Sequence, residues 1–176
     1  MIDLPHKHEA FLQDQLPHGW RLALDLSRDL VRRSEFLPWS DRARLLDDFV
    51  WQQARKMLSN EEITAVVNRL NHSHGGSYAV LEYATTCGAI LTSVILQLKE
   101  AADLHSPHQA MAYLLSRDVE HQQVGTRWVR AYGVDALQGA MSTLPGFAFL
   151  FLTAYANDSA ESFMARDAFF AALLGV

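Results

Sequence analysis

The segment Ser77–Leu98, with the sequence SYAVLEYATTCGAILTSVILQL, decides the fold of this chain. Glu82 is its only charged residue, and a helix formed by this segment would be apolar on almost every side. Because such a helix is stable in water only when it is buried, the pattern predicts a central helix, residues 77–103, surrounded by other helices. No stretch of the chain alternates between apolar and polar residues as a half-buried strand would. The prediction is therefore an all-α protein.

Several predicted helix boundaries carry side-chain caps that satisfy the free N–H groups of a first turn. A Ser or Asp followed three residues later by Glu or Gln occurs at Ser59–Glu62, Ser106–Gln109 and Asp158–Glu161, and Ser40 is a further candidate cap. The expected architecture is a single-domain helical bundle, residues 1–176, of four to five main helices plus short helices. The predicted helices are 18–35, 41–58, 60–72, 77–103, 107–131, 135–143, 147–156 and 159–174.

Composition and charge argue against several classes of function. The 176 residues carry a formal net charge of -5 with a pI near 5.9, so a broad basic surface for nucleic acid is not expected. Cys87 is the only cysteine, which excludes an intrachain disulfide and a zinc site built on several thiolates. The first nine residues lack the apolar core of a signal peptide. We expect a cytoplasmic protein.

Other charged and histidine side chains are expected at the surface. In the predicted helix 41–58, bases such as Arg42 are interleaved with acids such as Asp47, which predicts a solvated helical face. His8 and His18 lie near the N-terminus with His6, and all three are most simply exposed.

Two uncharged stretches, Tyr83–Leu98 and Ala136–Asn157, need to be tested as membrane spans. The first is short and contains four Thr and Ser residues, and the second is interrupted by Ser142 and by Pro145–Gly146. We predict no membrane span, and expect both stretches to lie in the core or at a subunit interface. The second stretch is apolar enough to favour a homodimer. Its aromatic residues are Phe147, Phe149, Phe151 and Tyr155.

The predicted helix 107–131 contains the first candidate for chemistry. Placing its residues at 100° intervals puts Asp118 in the middle of an apolar face, with His121 one turn further on. A carboxylate on such a face needs a partner, because burying it unpaired costs several kcal/mol. Asp118 and His121 have the spacing that lets both side chains reach one metal ion. The alternative is that Asp118 accepts a hydrogen bond from His121 or pairs with an arginine such as Arg127.

Glu82 is the second candidate, because it is the one acid in the predicted central helix. If it points inward, it would join Asp118 and His121 in a mixed oxygen and nitrogen site suited to iron or manganese, and His72 could add a ligand at its mouth. The alternative is that Glu82 lies near a helix start, where an acid suits the helix dipole and reaches solvent. His72 and His74 would then belong to a solvated turn.

Three families that bind iron or haem resemble parts of the chain. The pattern Arg117-Asp118-x-x-His121-x-x-Val124-Gly125-x-x-Trp128-x-Arg130 resembles a segment of ferritin-like di-iron proteins related to tRNA hydroxylases, in which the acid is a glutamate. The resemblance implies iron ligation by Asp118 and His121, although the remaining ligands of that family are not recognisable here.

Tyr78–Glu82, followed by Gly88, resembles the distal helix of haem oxygenases, and His8–Leu12 is loosely similar to their haem-ligand helix. Cys87 replaces one glycine of that family's pair. His121 with Gly125, Trp128 and Tyr132 is also similar to the proximal helix of sensor globins. These resemblances imply haem, with His8 or His121 as its axial ligand.

Three hypotheses of function follow from these observations. The first is a metal-dependent, non-haem iron oxidoreductase or a degenerate relative, with Glu82, Asp118 and His121 as ligands and a small-molecule substrate. The second is a haem or small-ligand sensor. The third is a non-catalytic helical regulatory or interaction protein that acts as a dimer.

Overall fold

The computed structural model of the chain describes residues 6–68, 78–99 and 104–156. These residues form nine α-helices and no β-strand, which confirms the predicted all-α class. The helices are α1 (Lys7–Gln15), α2 (Trp20–Ser34), α3 (Trp39–Met57), α4 (Asn60–Asn68), α5 (Tyr78–Leu98), α6 (Pro107–Leu115), α7 (Val119–Tyr132), α8 (Val134–Met141) and α9 (Pro145–Ala156). Among them, α2, α3 and α5 have 15 or more residues. The predicted count of four to five main helices is therefore not confirmed, and the predicted helix 159–174 lies outside the described residues.

The central position predicted for α5 is observed. It packs against α1, α2, α3, α6 and α9, and most of its side chains from Val80 to Ile95 are buried. The fully buried Tyr83 donates its phenolic O–H to the carbonyl of Val50 at 3.0 Å. Neighbouring helices thus cover most of this apolar helix, and its exposed side chains lie near its beginning.

Helix α1 has no counterpart among the predicted helices. It is short and mostly polar, and its one buried side chain is Leu12, which is fully enclosed in the core. The helix lies against α5 and α2. Because a nine-residue polar helix is unstable alone, its formation depends on this packing.

Of the three predicted caps that the structure describes, those at Ser59 and Ser106 are confirmed. Ser59 and Glu62 form a reciprocal capping box, in which each side chain accepts the other residue's backbone N–H, at 3.1 and 2.9 Å. Ser106 caps α6 by accepting the backbone N–H of His108 at 3.2 Å. Ser40, in contrast, is not a cap, because α3 begins at Trp39 with Pro38 at its N-cap position.

Arg42 and Asp47 contradict the predicted solvated face of the third helix, because each is only 4% exposed. Arg42 donates from Nε to the carbonyl of Ser34 at 3.0 Å and from Nη2 to that of Glu35 at 2.8 Å, and its guanidinium lies over the ring of Trp39. The arginine therefore satisfies the carbonyl groups at the end of α2, which sequence periodicity does not reveal.

Asp47 accepts a hydrogen bond from the backbone at the beginning of α9. Its Oδ1 accepts the backbone N–H of Phe147 at 2.7 Å. Gly146 allows this contact, because a Cβ there would lie 2.3 Å from the backbone oxygen of Asp47. Burial raises the pKa of Asp47 to about 6, although the N–H groups of Phe147 and Gly146 oppose the shift. The interaction links helices 100 residues apart in sequence.

The described aromatic side chains of the second uncharged stretch lie in the core, one of the two locations predicted for that stretch. Phe147, Phe149 and Phe151 are at most 2% exposed, and Phe149 packs against Trp51 and Tyr83. The side chain of Tyr155 lies outside the described part of the chain. The homodimer thus remains a prediction, without the apolar surface that motivated it.

Among the described helices, α5 is the one that is long and apolar enough to cross a membrane. Of its apolar 18-residue stretch, 61% is buried within the chain. The central helix of a globular bundle meets the same criteria. Helices α8 and α9 meet them only as a pair, and they are bent by 118° relative to each other.

Candidate functional site

Asp118 does not lie in the middle of a helix, and the predicted single helix 107–131 is wrong. Helix α6 ends at Leu115 and α7 begins at Val119, so residues 116–118 form a junction between them, the α6–α7 junction. Asp118 is the N-cap of α7, and its Oδ1 accepts the backbone N–H of Glu120 at 2.8 Å. The carboxylate also lies at the positive end of the helix dipole. A backbone donor therefore supplies the partner that this acid was expected to need.

Thr92, on α5, anchors the junction to the central helix. Its hydroxyl group donates to the carbonyl of Gly88 at 2.7 Å and accepts the backbone N–H of Arg117 at 2.8 Å. The same hydroxyl lies 3.0 Å from the Oγ of Ser116, and both side chains are fully buried. Since the hydrogen of Thr92 is used on Gly88, we assign the hydrogen between the two hydroxyls to Ser116.

This assignment determines which ring nitrogen of His121 carries the hydrogen. Its Nδ1 lies 2.8 Å from the Oγ of Ser116, which also accepts the backbone N–H of Asp118 at 3.1 Å. Because Ser116 donates to Thr92, the Nδ1 of His121 carries the hydrogen of their shared bond. Burial lowers the pKa of His121, although Asp118 opposes the shift, so the ring is neutral at pH 7. Neutral His121 then has its lone pair on Nε2.

Residues of the ferritin-like pattern have packing roles around this junction. A Cβ on Gly125 would lie 2.9 Å from Cγ of Leu114, so the glycine lets α7 approach α6 closely. Trp128 stacks on Tyr132 with ring centroids 4.9 Å apart. Gly125 and Trp128 of the pattern thus have packing contacts within the chain.

Gly88, part of the haem oxygenase-like pattern, also permits a close approach. A Cβ there would lie 2.9 Å from Cγ of Arg117. The Arg117 side chain extends to Gln15 on α1 and donates from Nε to its Oε1 at 3.0 Å. The two segments of this resemblance, α1 and α5, do pack against each other. Gly88 thereby helps to connect the α6–α7 junction to the end of α1.

The three predicted metal ligands that the structure describes, Glu82, Asp118 and His121, do not form a group whose ligand atoms all lie within 4.8 Å of one another. Glu82 is exposed on α5 and lines a cavity whose lining does not include Asp118 or His121. His72 lies outside the described residues. In the part of the chain that is described, the group of His, Cys, Asp and Glu side chains whose ligand atoms lie within 4.8 Å of one another is His6, His8 and Glu9. The predicted iron or manganese ligation thus remains a prediction from sequence.

The cavity that Glu82 lines is a concave feature next to a predicted site residue. It lies between α2, α3, α5 and the end of α1, and its volume is about 550 Å³. Most of its walls are aliphatic or aromatic, with a few amide, hydroxyl and ionisable groups. The lining residues that matter for its chemistry are Gln15, His18, Leu22, Gln53, Tyr78, Leu81, Glu82, Thr85 and Thr86.

Exposed apolar side chains surround the cavity. Leu22 is 67% exposed, Tyr78 is 79% exposed and Leu81 is 43% exposed, and all three belong to the lining. Apolar surface that is concentrated around a concavity is typical of a binding site. The sequence indicated Glu82 but not the cavity, because much of the lining comes from two other segments of the chain, residues 15–26 and 53–57.

Comparisons with protein-family models, with curated proteins and with solved structures returned no significant match. The ferritin-like, haem oxygenase-like and globin-like resemblances therefore rest on the quoted residues alone.

Proposed function

We propose that the protein binds a small amphipathic molecule in the cavity between α2, α3 and α5. The observation that carries the proposal is the combination of an apolar concavity of about 550 Å³ with an exposed apolar rim. Binding sites for small ligands fall in the range of ~300–1,000 Å³ and combine apolar walls with a few polar groups. The cavity has both properties.

Glu82 determines the preferred head group of this ligand. It is the one acid among the described residues of the lining, and none of those residues is a lysine or arginine. A cationic head, or one rich in hydrogen-bond donors, is therefore favoured over an anionic one. The amide and hydroxyl groups of Gln53, Thr85 and Thr86 provide further hydrogen-bonding partners.

Two probes with the same tail and opposite charges test the proposal. Decylamine and decanoate are titrated by calorimetry below their aggregation concentrations, at pH 7. Decylamine is expected to bind more tightly than decanoate. Glu82→Gln should reduce the ratio of the two affinities about two- to fivefold, because an exposed charge contributes little binding energy. Glu120→Gln, an exposed acid on α7, is the matched control and should leave the preference unchanged.

A variant that fills the cavity separates binding there from binding elsewhere. Thr86→Trp places a large ring in the lining and should weaken both probes, while circular dichroism confirms retained helicity. If neither probe binds the native protein, or if both bind Thr86→Trp unchanged, the proposed function is wrong.

A second candidate ligand is haem, because the lining contains one imidazole, that of His18. Neither of the axial ligands expected from sequence, His8 and His121, belongs to this lining. Haem titration should produce a Soret band that is lost in His18→Ala and retained in the control His105→Ala. Absence of the band in the native protein would exclude haem as the ligand.

A further inference from the structure

The beginning of α1 carries a cluster of three potential metal ligands. His6 is the N-cap residue of α1, and His8 and Glu9 lie in its first turn. The ligand atoms of the three side chains all lie within 4.8 Å of one another, and the Nδ1 of His6 is 3.8 Å from Oε1 of Glu9. None of the three lines the cavity between α2, α3 and α5.

His8 provides an independent observation at this cluster. Its Nε2 is buried and has no hydrogen-bond partner among the described residues, and it is the one buried side-chain nitrogen or oxygen there with this property. A buried polar atom without a partner costs about 1–3 kcal/mol, so such atoms are rare in native proteins. A ligand that occupies Nε2 would remove this cost.

We propose that His6, His8 and Glu9 bind one divalent transition-metal ion. Two imidazole nitrogens and one carboxylate oxygen are the protein ligands of many mononuclear iron and zinc sites, which keep further positions for water. The ion would coordinate the unpartnered Nε2 of His8, and Glu9 would balance part of its charge.

The surroundings of the cluster define how the ion is held. Burial lowers the pKa of His8, and the nearby Arg28 adds to the shift, so its ring is neutral and available as a ligand at pH 7. Arg28 contacts Oε1 of Glu9, and a carboxylate has lone pairs enough to keep this contact while it binds an ion. Arg28 and Lys99 are both positively charged near His8, so the affinity is expected to be below that of a structural zinc site.

The ligand atoms of the three side chains must move slightly closer together to bind one ion. Ligands about 2.1 Å from a zinc ion lie roughly 3.4 Å apart at a tetrahedral angle, which is less than the spread of the present cluster. His6 can supply the movement, because its side chain is 66% exposed.

Titrations of the untagged protein with Zn²⁺, followed by calorimetry, and with Co²⁺, followed by visible absorption, test the proposal. We expect one ion per chain, and at least ~10-fold weaker binding in His6→Ala. His6→Ala is expected to fold normally, because the side chain is exposed. His105→Ala, which removes another exposed histidine, is the matched control and should bind as the native protein does.

Glu9→Gln is the second variant, because an amide can still accept the hydrogen bond of Arg28 while it lacks the charge. It should weaken binding and alter the Co²⁺ spectrum. The proposal would be overturned if the native protein bound no ion. It would also be overturned if His6→Ala and Glu9→Gln bound the ion as tightly as the native protein does. Loss of the ion in Asp118→Ala and His121→Ala, with His6→Ala unaffected, would instead support the ligands predicted from sequence. Decylamine binding should not change in His6→Ala, so this test is separate from that of the cavity.

Discussion

The α6–α7 junction and the beginning of α1 both hold partly buried histidines, but the two differ in their hydrogen bonds. At the junction, Nδ1 of His121 lies within hydrogen-bond distance of Ser116, and Ser116 is in turn linked to Thr92. At the beginning of α1, Nε2 of His8 is buried without a described partner. A polar group that the fold satisfies stabilises the structure, whereas one that the fold leaves unsatisfied costs stability unless a ligand binds it. The hydrogen bonds thus distinguish His121, which the fold satisfies, from His8, whose Nε2 is open to a ligand.

Asp47 is a buried acid whose charge is partly compensated by backbone N–H groups. Its ionisation has the largest expected effect on the free energy of unfolding. The folded chain raises the pKa of Asp47 from 3.8 to about 6, so between these values the folded state holds a proton that the unfolded state has lost. Stability due to Asp47 therefore falls as pH rises through this window, by about 3 kcal/mol in total.

Asp47→Asn, which keeps an acceptor for Phe147 but cannot ionise, isolates this contribution. In urea denaturation at several pH values, the stability of the native protein relative to the variant should decrease from roughly pH 4 to pH 7. Asp29→Asn, at a partly exposed position on α2, is the control. A difference between the native protein and Asp47→Asn that does not vary with pH would mean that the charge is fully compensated.

Ser116→Ala breaks the junction network. It leaves the Nδ1 hydrogen of His121 and the backbone N–H of Asp118 without their acceptor, so we expect a loss of about 2 kcal/mol in the free energy of unfolding. Ser142→Ala, at an exposed position, is the control and should change stability by less than ~0.5 kcal/mol. Equal effects of the two substitutions would show that the junction network is not stabilising.

Asp118→Ala and Asp118→Asn distinguish a helix cap from a metal ligand. Loss of the cap should cost about 1 kcal/mol in Asp118→Ala, and Asn should restore nearly all of it, since both Asp and Asn cap helices well. The measurement is urea denaturation with and without added Zn²⁺. If Asp118→Asn is as unstable as Asp118→Ala, the capping role is wrong.

His8→Leu has the smallest expected effect and tests the other region. In the absence of metal ions, removal of an unsatisfied nitrogen should leave stability within ~0.5 kcal/mol of the native protein or increase it. Leu12→Ala, in the core contact of the same helix, should cost about 2–5 kcal/mol and shows that the assay detects α1 packing. A loss of 2 kcal/mol or more in His8→Leu would mean that His8 is satisfied in the fold after all.

Among the candidate site residues, sequence patterns located Glu82 near the start of a buried helix but did not reveal the cavity. The lining of that cavity comes from residues 15–26, 53–57 and 78–90, which meet only when α1, α2, α3 and α5 pack together. The cap at Asp118 had a local signal, because Asp is among the best N-cap residues and a poor helix former. The helical periodicity of its neighbours obscured that signal.

By itself, the sequence determined the all-α class, the burial of α5 and the caps at Ser59 and Ser106. These properties depend on helical periodicity and on hydrogen bonds between residues two to four positions apart, which are readable along the chain. Tertiary structure alone decided the burial of Arg42 and Asp47, the formation of α1 and the break before Asp118. Each of these depends on contacts with residues outside the element concerned, as the bond from Phe147 to Asp47 across 100 residues shows. Spacing along one helix carries no information about which neighbour will supply that partner.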